Sequence, residues 1–244
     1  MKLKNLIPVI VVSLSFIISI VIFSNAIINR NSSENIISVT GLAERSFESD
    51  LIVWKSQFTV KKTDLISAYA DLKTQSQIIN KFLASKGIDA KSITFSAVEI
   101  SKEYATSYNE KGNAFSVFDG YRLTQQISIN SKEVEKIEKV SREITDLINS
   151  GIEITSMSPQ YYYTQLSNLK IEMLAEASKD ALLRAETMAE NGDADLGDMV
   201  GSTMGVFQIV AQNSAEDYSW GGSFNTSSKN KTASVTVKVQ YKVD

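Results

Sequence analysis

Alternation of apolar and polar residues begins at residue 36 and returns repeatedly as far as the C-terminus. In IISVTGLAERSF (36–47), Ile37, Val39, Gly41, Ala43 and Phe47 share one phase and Ser38, Thr40, Glu44 and Ser46 the other, which predicts a half-buried strand. ESD (48–50) supplies a turn. LIVWKSQFTVK then alternates through Ile52, Trp54, Phe58 and Val60, so the two segments predict a hairpin. Period then changes from two to 3.6. Thr63 is a candidate cap for a helix carrying Leu65, Tyr69, Leu72, Ile79 and Phe82, which Gly87 stops. KSITFSAVEISKEY (91–104) reads as one strand, NEKGNAFSVFDG (109–120) as a polar loop, and YRLTQQISIN (121–130) as a strand. A helix starting at Asn130 or Ser131 carries Val134, Ile137, Val140, Ile144 and Leu147 on one stripe and ends at Gly151.

IEITSMSPQYYY (152–163) is extended, with Pro159 confining its far half to an edge or an exit. A long helix follows, with Leu166, Leu169, Met173, Ala177, Ala181, Ala185 and Met188 on its buried side. Its alanines permit close approach to a sheet, and its charged face offers only helix-surface pairing worth tenths of a kcal/mol per pair. DMVGSTMGVFQIVA (198–211) reads as a strand and QNSAEDYSWGGSFNTSSKNK (212–231) as a polar loop. The last strand puts Ala233, Val235, Val237, Val239, Tyr241 and Val243 inward. The order ββα-ββα-βα-ββ predicts an α+β fold: an antiparallel-rich sheet with three helices on one side.

The N-terminus has a different pattern. Asn5 to Ile28 holds no charged residue in 24 positions. As a helix it would span about 36 Å, enough for a hydrocarbon core of roughly 30 Å. Lys2 and Lys4 precede it, so the positive-inside rule puts the remainder outside the cytoplasm. Two readings stand: a retained transmembrane anchor, or a signal peptide cleaved near Ser24-Asn25-Ala26. The expected organisation is an anchor or uncleaved signal over 1–30, a spacer over 31–35 and one domain over 36–244.

Composition narrows the chemistry. The chain has no Cys and no His, so thiolate nucleophiles, disulfides, imidazole acid–base catalysis and nearly all zinc sites are excluded. No catalytic, cofactor-binding or metal residue is assigned, and no cofactor is expected. Asp193, Asp195 and Asp198 partly imitate a calcium loop, but Met204 occupies the twelfth position where Glu would be required. Beyond residue 28, 23 basic residues (25 less Lys2 and Lys4) face 28 acidic ones, a net of −5, with no basic run to engage nucleic acid.

The order of these segments resembles a known family. ISVTGLAERSFESDLIVW, FDGYRLTQQISINSKEVEKI, AEASKDALLRAETMAENGDADLGDMVGS and SVTVKVQY are similar, in sequence and in order, to the segments of the bacterial SIMPL-domain proteins. These are periplasmic immunogenic and stress-related envelope proteins. The turn ENGDADLG is longer and more acidic than that pattern. The resemblance implies an extracytoplasmic domain, homo-oligomeric in some relatives, and it transfers no catalytic residue.

Candidate interaction residues remain. Tyr161, Tyr162 and Tyr163 stand in an extended segment, and Tyr218, Trp220 and Phe224 among glycines in a long loop. The expectation is an envelope domain that works by assembly or binding, attached to the membrane through residues 5–28, with its ligand unknown. The alternatives are a released periplasmic ligand binder or a carboxylate-dependent envelope enzyme.

Overall fold

The computed structural model describes residues 6–31, 35–215 and 219–243, with side chains of the first helix described over 11–26. It is a mixed α+β fold. The described residues form four α-helices and eleven strands: α1 (Leu6–Asn31), β1 (Ile36–Glu48), β2 (Leu51–Lys62), α2 (Leu65–Ser85), β3 (Ile93–Phe95), β4 (Glu99–Tyr108), β5 (Ala114–Ser131), α3 (Val134–Glu143), β6 (Glu153–Ser156), β7 (Gln160–Tyr162), α4 (Leu166–Asn191), β8 (Leu196–Met204), β9 (Gln208–Ala211), β10 (Ser223–Phe224) and β11 (Asn230–Val243).

The single sheet gives way to two. One has the order β1-β11-β9-β10, with β8 also on β11; the other has the order β3-β5-β2-β6, with β4 also on β5 and β7 also on β2. Pairing is antiparallel wherever its direction is described, except between β9 and β10. The expected β1–β2 hairpin does not form, because β1 lies beside β11 while β2 pairs with β5 from Ile52 to Lys62. Ser49 and Asp50 between them are tied elsewhere, through Ser49 N–H to Lys229 O at 3.0 Å and Asp50 N–H to Tyr162 O at 3.1 Å.

The expected strand 91–104 is interrupted after Phe95, and the expected strand 198–211 is interrupted at Gly205, whose N–H donates to Thr236 O at 2.8 Å. The expected loop 109–120 shrinks to a turn at 109–113, because Ala114–Asp119 extends β5 into a long hairpin with β4.

Three helices and a spanning helix were expected; the structure gives four helices, and none among the described residues is long and apolar enough to cross a membrane. The side chains of α1 are described over 11–26. All of them are exposed.

The chain divides into two units, Met1–Leu42 with Glu176–Gly205 and Thr236–Asp244, and Ala43–Ala175 with Val206–Val235. The second unit holds the larger core. The inward phase of β2 supplies Ile52, Trp54, Phe58 and Val60, β5 supplies Leu123, Ile127 and Ile129, and α2 and α3 cover them. Burying each such side chain contributes about 1.5–3 kcal/mol. Trp54 Nε1 donates to Ser156 Oγ at 3.0 Å, and Ser156 Oγ donates in turn to Ser141 O at 2.6 Å, so the indole is buried with its polar atom satisfied.

α2 begins at Asp64, not Thr63, with Asp64 Oδ2 accepting Ser67 N–H at 2.8 Å. Its buried stripe is Ala68, Leu72, Ile79 and Leu83, one position away from Tyr69 and Phe82. The α3 stripe is as expected, although from Ile144 onward it tightens into a 3-10 helix that ends at Gly151. Within the first unit, Ala177, Ala181, Ala185 and Ala189 form the buried row of α4. Met188, expected inside, is exposed because Ala189 holds the inward phase.

Candidate interaction site

The described aromatic residues among those singled out in the sequence belong to the second unit. β7 pairs with β2 so that Tyr161 is opposite Ile52 and Tyr162 opposite Leu51. Strand alternation therefore sends neighbouring rings to opposite faces. Tyr161 turns inward against the core, while the Tyr162 ring lies 6.4 Å from that of Phe224, centre to centre, and its hydroxyl donates to Gln160 Oε1 at 3.1 Å. Tyr163 stacks obliquely on Phe47 at 4.8 Å. Asp50 fixes the exit of the segment by accepting from Thr164 N–H at 2.7 Å and Thr164 Oγ1 at 2.6 Å. The three tyrosines do not form one platform.

Tyr161 is held neutral. Burial, reinforced by a hydrogen bond to the Glu138 carboxylate, pushes its phenol up to about 12. The ammonium of Lys231 lies 5.9 Å from its ring centre; that lysine is itself buried, with Nζ donating to Ser228 O.

Trp220 is different. It stands fully exposed on a turn closed by Gly222 N–H to Ser219 O at 3.0 Å. The turn is fastened from below by the nearly buried side chain of Gln208. Its Nε2 donates to Ser219 O at 2.7 Å, while its Oε1 accepts from Ser219 N–H at 3.2 Å and Ser223 N–H at 2.9 Å. Gly222 has φ +91° and leaves no room for a Cβ, which would lie 2.8 Å from Phe207 O. β10 then lays Phe224, itself half exposed, opposite Ile209 of β9. Tyr218 lies outside the described residues.

The turn is thus a rigid mount for an apolar side chain that packs on nothing. Trp220→Ser is expected to change stability by less than about 0.5 kcal/mol. Gln208→Ala, which strands three hydrogen-bonding groups, is expected to cost about 1–3 kcal/mol. Urea unfolding of the two variants measures the difference.

A depression of about 560 Å³ beside this region is lined by Glu48, Asp50, Lys132, Glu133, Glu135, Lys136 and Lys229. Lys229 pairs with Glu48 at 2.6 Å and Glu135 at 3.7 Å, and its hydrogen bond to Glu48 raises its pKa. Its charges are of both signs, and Lys136 pairs with Glu133 at 2.6 Å.

A second charged cluster went unnoticed in the sequence, because its members are far apart in the chain. Glu103 pairs with Arg122 and, at 3.0 Å, with Lys61, which also meets Asp119 at 2.5 Å. The Arg122 hydrogen bond, seconded by Lys61, lowers the Glu103 carboxyl to about 2. The cluster locks the place where β4 and β5 leave the body.

In the first unit, Glu190, Asp193 and Asp195 line a small acidic hollow of about 330 Å³. Among the described residues, no group of three or more acidic side chains is arranged to hold a metal ion.

Residues 37–242 match the model of the family described as SIMPL, a protein of unknown function (DUF541). None of the curated proteins matches the chain.

Proposed function

The chain belongs to the SIMPL family, and on that premise we propose that it is an extracytoplasmic domain, tethered through residues 5–28, that works by assembly and binding in the bacterial cell envelope without catalysis. The observation that carries this reading is Trp220, an exposed indole that the fold fixes in place through Gln208. A side chain presented in this way contributes little to folding and suits a contact with a partner.

The tether is supported by the 24 uncharged positions of Asn5 to Ile28 and by the exposed apolar side chains of α1 from Val11 to Phe23. The absence of catalysis is supported by the side chains at hand. Cys and His are missing, and two strongly shifted groups, Glu103 to about 2 and Tyr161 to about 12, are displaced away from neutrality. A general acid or base needs the opposite shift.

Fractionation of bacterial cells expressing the full chain tests the tether. The chain is expected in the membrane fraction, resistant to salt and released by detergent, with its body open to protease added from outside the cytoplasmic membrane. Recovery of a soluble chain trimmed near Ala26 would overturn the tether. It would favour the second reading, a released ligand-binding protein. An open groove of about 690 Å³ in the first unit, lined by Val39, Asp180, Leu183, Arg184 and Met188, is the feature that would then call for a ligand.

A further inference from the structure

The hairpin of β4 and β5 carries an unpartnered stretch of sheet in the second unit. β5 pairs with β2 only as far as Tyr121, opposite Lys62, so Tyr104–Tyr108 and Ala114–Phe118 run on as a two-stranded arm. Such a ribbon is marginal in water on its own. Its turn is nevertheless built with care: Asn109 Oδ1 accepts from Lys111 N–H at 3.0 Å and Asn113 N–H at 2.9 Å, and Gly112 takes the left-handed φ of +78°. Gly120 lets the arm leave the body at φ +123°, where a Cβ would lie 2.6 Å from Lys62 O.

The ten residues of the arm, YATSY and AFSVF, contain no charge, proline or glycine. Tyr104, Tyr108, Phe115, Val117 and Phe118 are all exposed on it. Natural edge strands are guarded by charge, proline or cover. Between its flanking charges, Lys102 and Glu103 at one end and Glu110 at the other, the stretch 104–108 has none of these, so it calls for cover.

The open edge specifies what covers it. Asn109 N–H donates to Asn113 O at 3.0 Å, which makes 109/113 a hydrogen-bonded pair. Bonded and non-bonded pairs alternate along an antiparallel ladder, so Tyr108, Thr106 and Tyr104 turn their own N–H and C=O outward. Those three positions are symmetric about Thr106. An antiparallel copy of the same strand, centred there, puts Thr106 opposite Thr106, Tyr104 opposite Tyr108 and Ala105 opposite Ser107. Every outward backbone group then meets another, aromatic pairs form on one face, and no like charges oppose. Lys102 comes level with the partner's Glu110 at each end, so the flanking charges are complementary.

We infer that β4 is a self-pairing edge: two copies of the chain join antiparallel about Thr106, making one continuous sheet across the dimer. The inference rests on the assembly part of the proposed function and names its partner. A lipid surface fits less well, because the charged turn Asn109–Asn113 would have to enter first.

The absence of cysteine makes a direct test available. Opposed residues of a hydrogen-bonded pair have Cα atoms about 5.5 Å apart, inside the roughly 4.4–6.8 Å window of a disulfide. The full chain carrying Thr106→Cys, in non-ionic detergent, is expected to become a covalent dimer on mild oxidation. Ser107→Cys, whose counterpart falls on a diagonal of roughly 7–8 Å, is expected to react far more slowly. Tyr104→Glu with Tyr108→Glu is expected to weaken self-association about tenfold or more, by setting like charges opposite each other. The far-ultraviolet circular dichroism of that variant should be unchanged, since both side chains are largely exposed and the fold of the single chain does not depend on them.

A Thr106→Cys chain that stays monomeric overturns the inference, while the tether and the role of Trp220 stand or fall by fractionation and partner binding. A multimer that cross-links through Ser219→Cys in preference to Thr106→Cys, or that survives the double glutamate change intact, also overturns it but leaves assembly in place.

Discussion

Replacing Gly41 by alanine is expected to destabilise the chain by about 3 kcal/mol. β1 crosses α4 at this residue within the first unit. An added Cβ would stand 2.1 Å from Ala177 O and 2.5 Å from Ala181 N, both backbone atoms of a helix that cannot yield locally. The alanines at 177 and 181 are fully buried, so the helix already approaches the strand as closely as its side chains permit. Relief requires the strand to lift, which would also break the hydrogen bond from Leu42 N–H to Asp180 Oδ2 at 2.7 Å. That bond is the main reason the Asp180 carboxyl has a lowered pKa. The expected fall in melting temperature is about 6–12 °C. Gly221→Ala is the matched control, because nothing lies within 4 Å of its added Cβ. Scanning calorimetry of both in detergent gives the comparison, and equal melting temperatures would contradict the close approach.

Trp54→Ala is expected to cost about 3–5 kcal/mol. The indole is among the largest fully buried side chains and lies in the middle of the second unit's core. Its removal leaves a cavity between β2 and the covering helices, and it takes away the donor that Ser156 Oγ accepts at 3.0 Å. Trp54→Phe keeps most of the volume and loses only the hydrogen bond, so its cost should be smaller by about half or more. The chain has two tryptophans. Trp54 is buried and Trp220 exposed, so emission from the natural chain should contain a component protected from iodide and one open to it. In Trp54→Phe only the open component should remain. Urea unfolding followed by circular dichroism measures the stability change without relying on either fluorophore.

Legibility from sequence followed the range of the interaction. The phase of β11 was readable because alternation is local: Ala233, Val235, Val237, Val239 and Tyr241 are all buried as their spacing implies. The α3 stripe and the stops at Gly87 and Gly151 were readable for the same reason, with both glycines at positive φ. Pairing was not. ESD looks like a hairpin turn, yet the Ser49 and Asp50 N–H groups donate to the carbonyls of Lys229 and Tyr162, far along the chain.

The β4–β5 arm was hidden by composition. AFSVF is short and lies between the polar stretches NEKGN and DG, so it read as part of a loop; the signal available was Asn109 with Gly112, a turn that can close a hairpin. Of the candidate site, Trp220 was legible as a loop aromatic from its glycine neighbours, though not whether it folds back onto the domain. Its clamp was not, because Gln208 gives no local sign of reaching Ser219 and Ser223. The tyrosines were legible as a group but not in their separate destinations, since each ring meets a residue that pairing alone brings close.

The proposed role of this domain depends most heavily on assembly. Its most direct measurement is the protein mass of the full chain in non-ionic detergent, by light scattering after size-exclusion chromatography over a wide range of concentration. A discrete multiple of 26.9 kDa is the result expected, beginning with the dimer. A single mass of 26.9 kDa at every concentration would contradict assembly as the way this domain works.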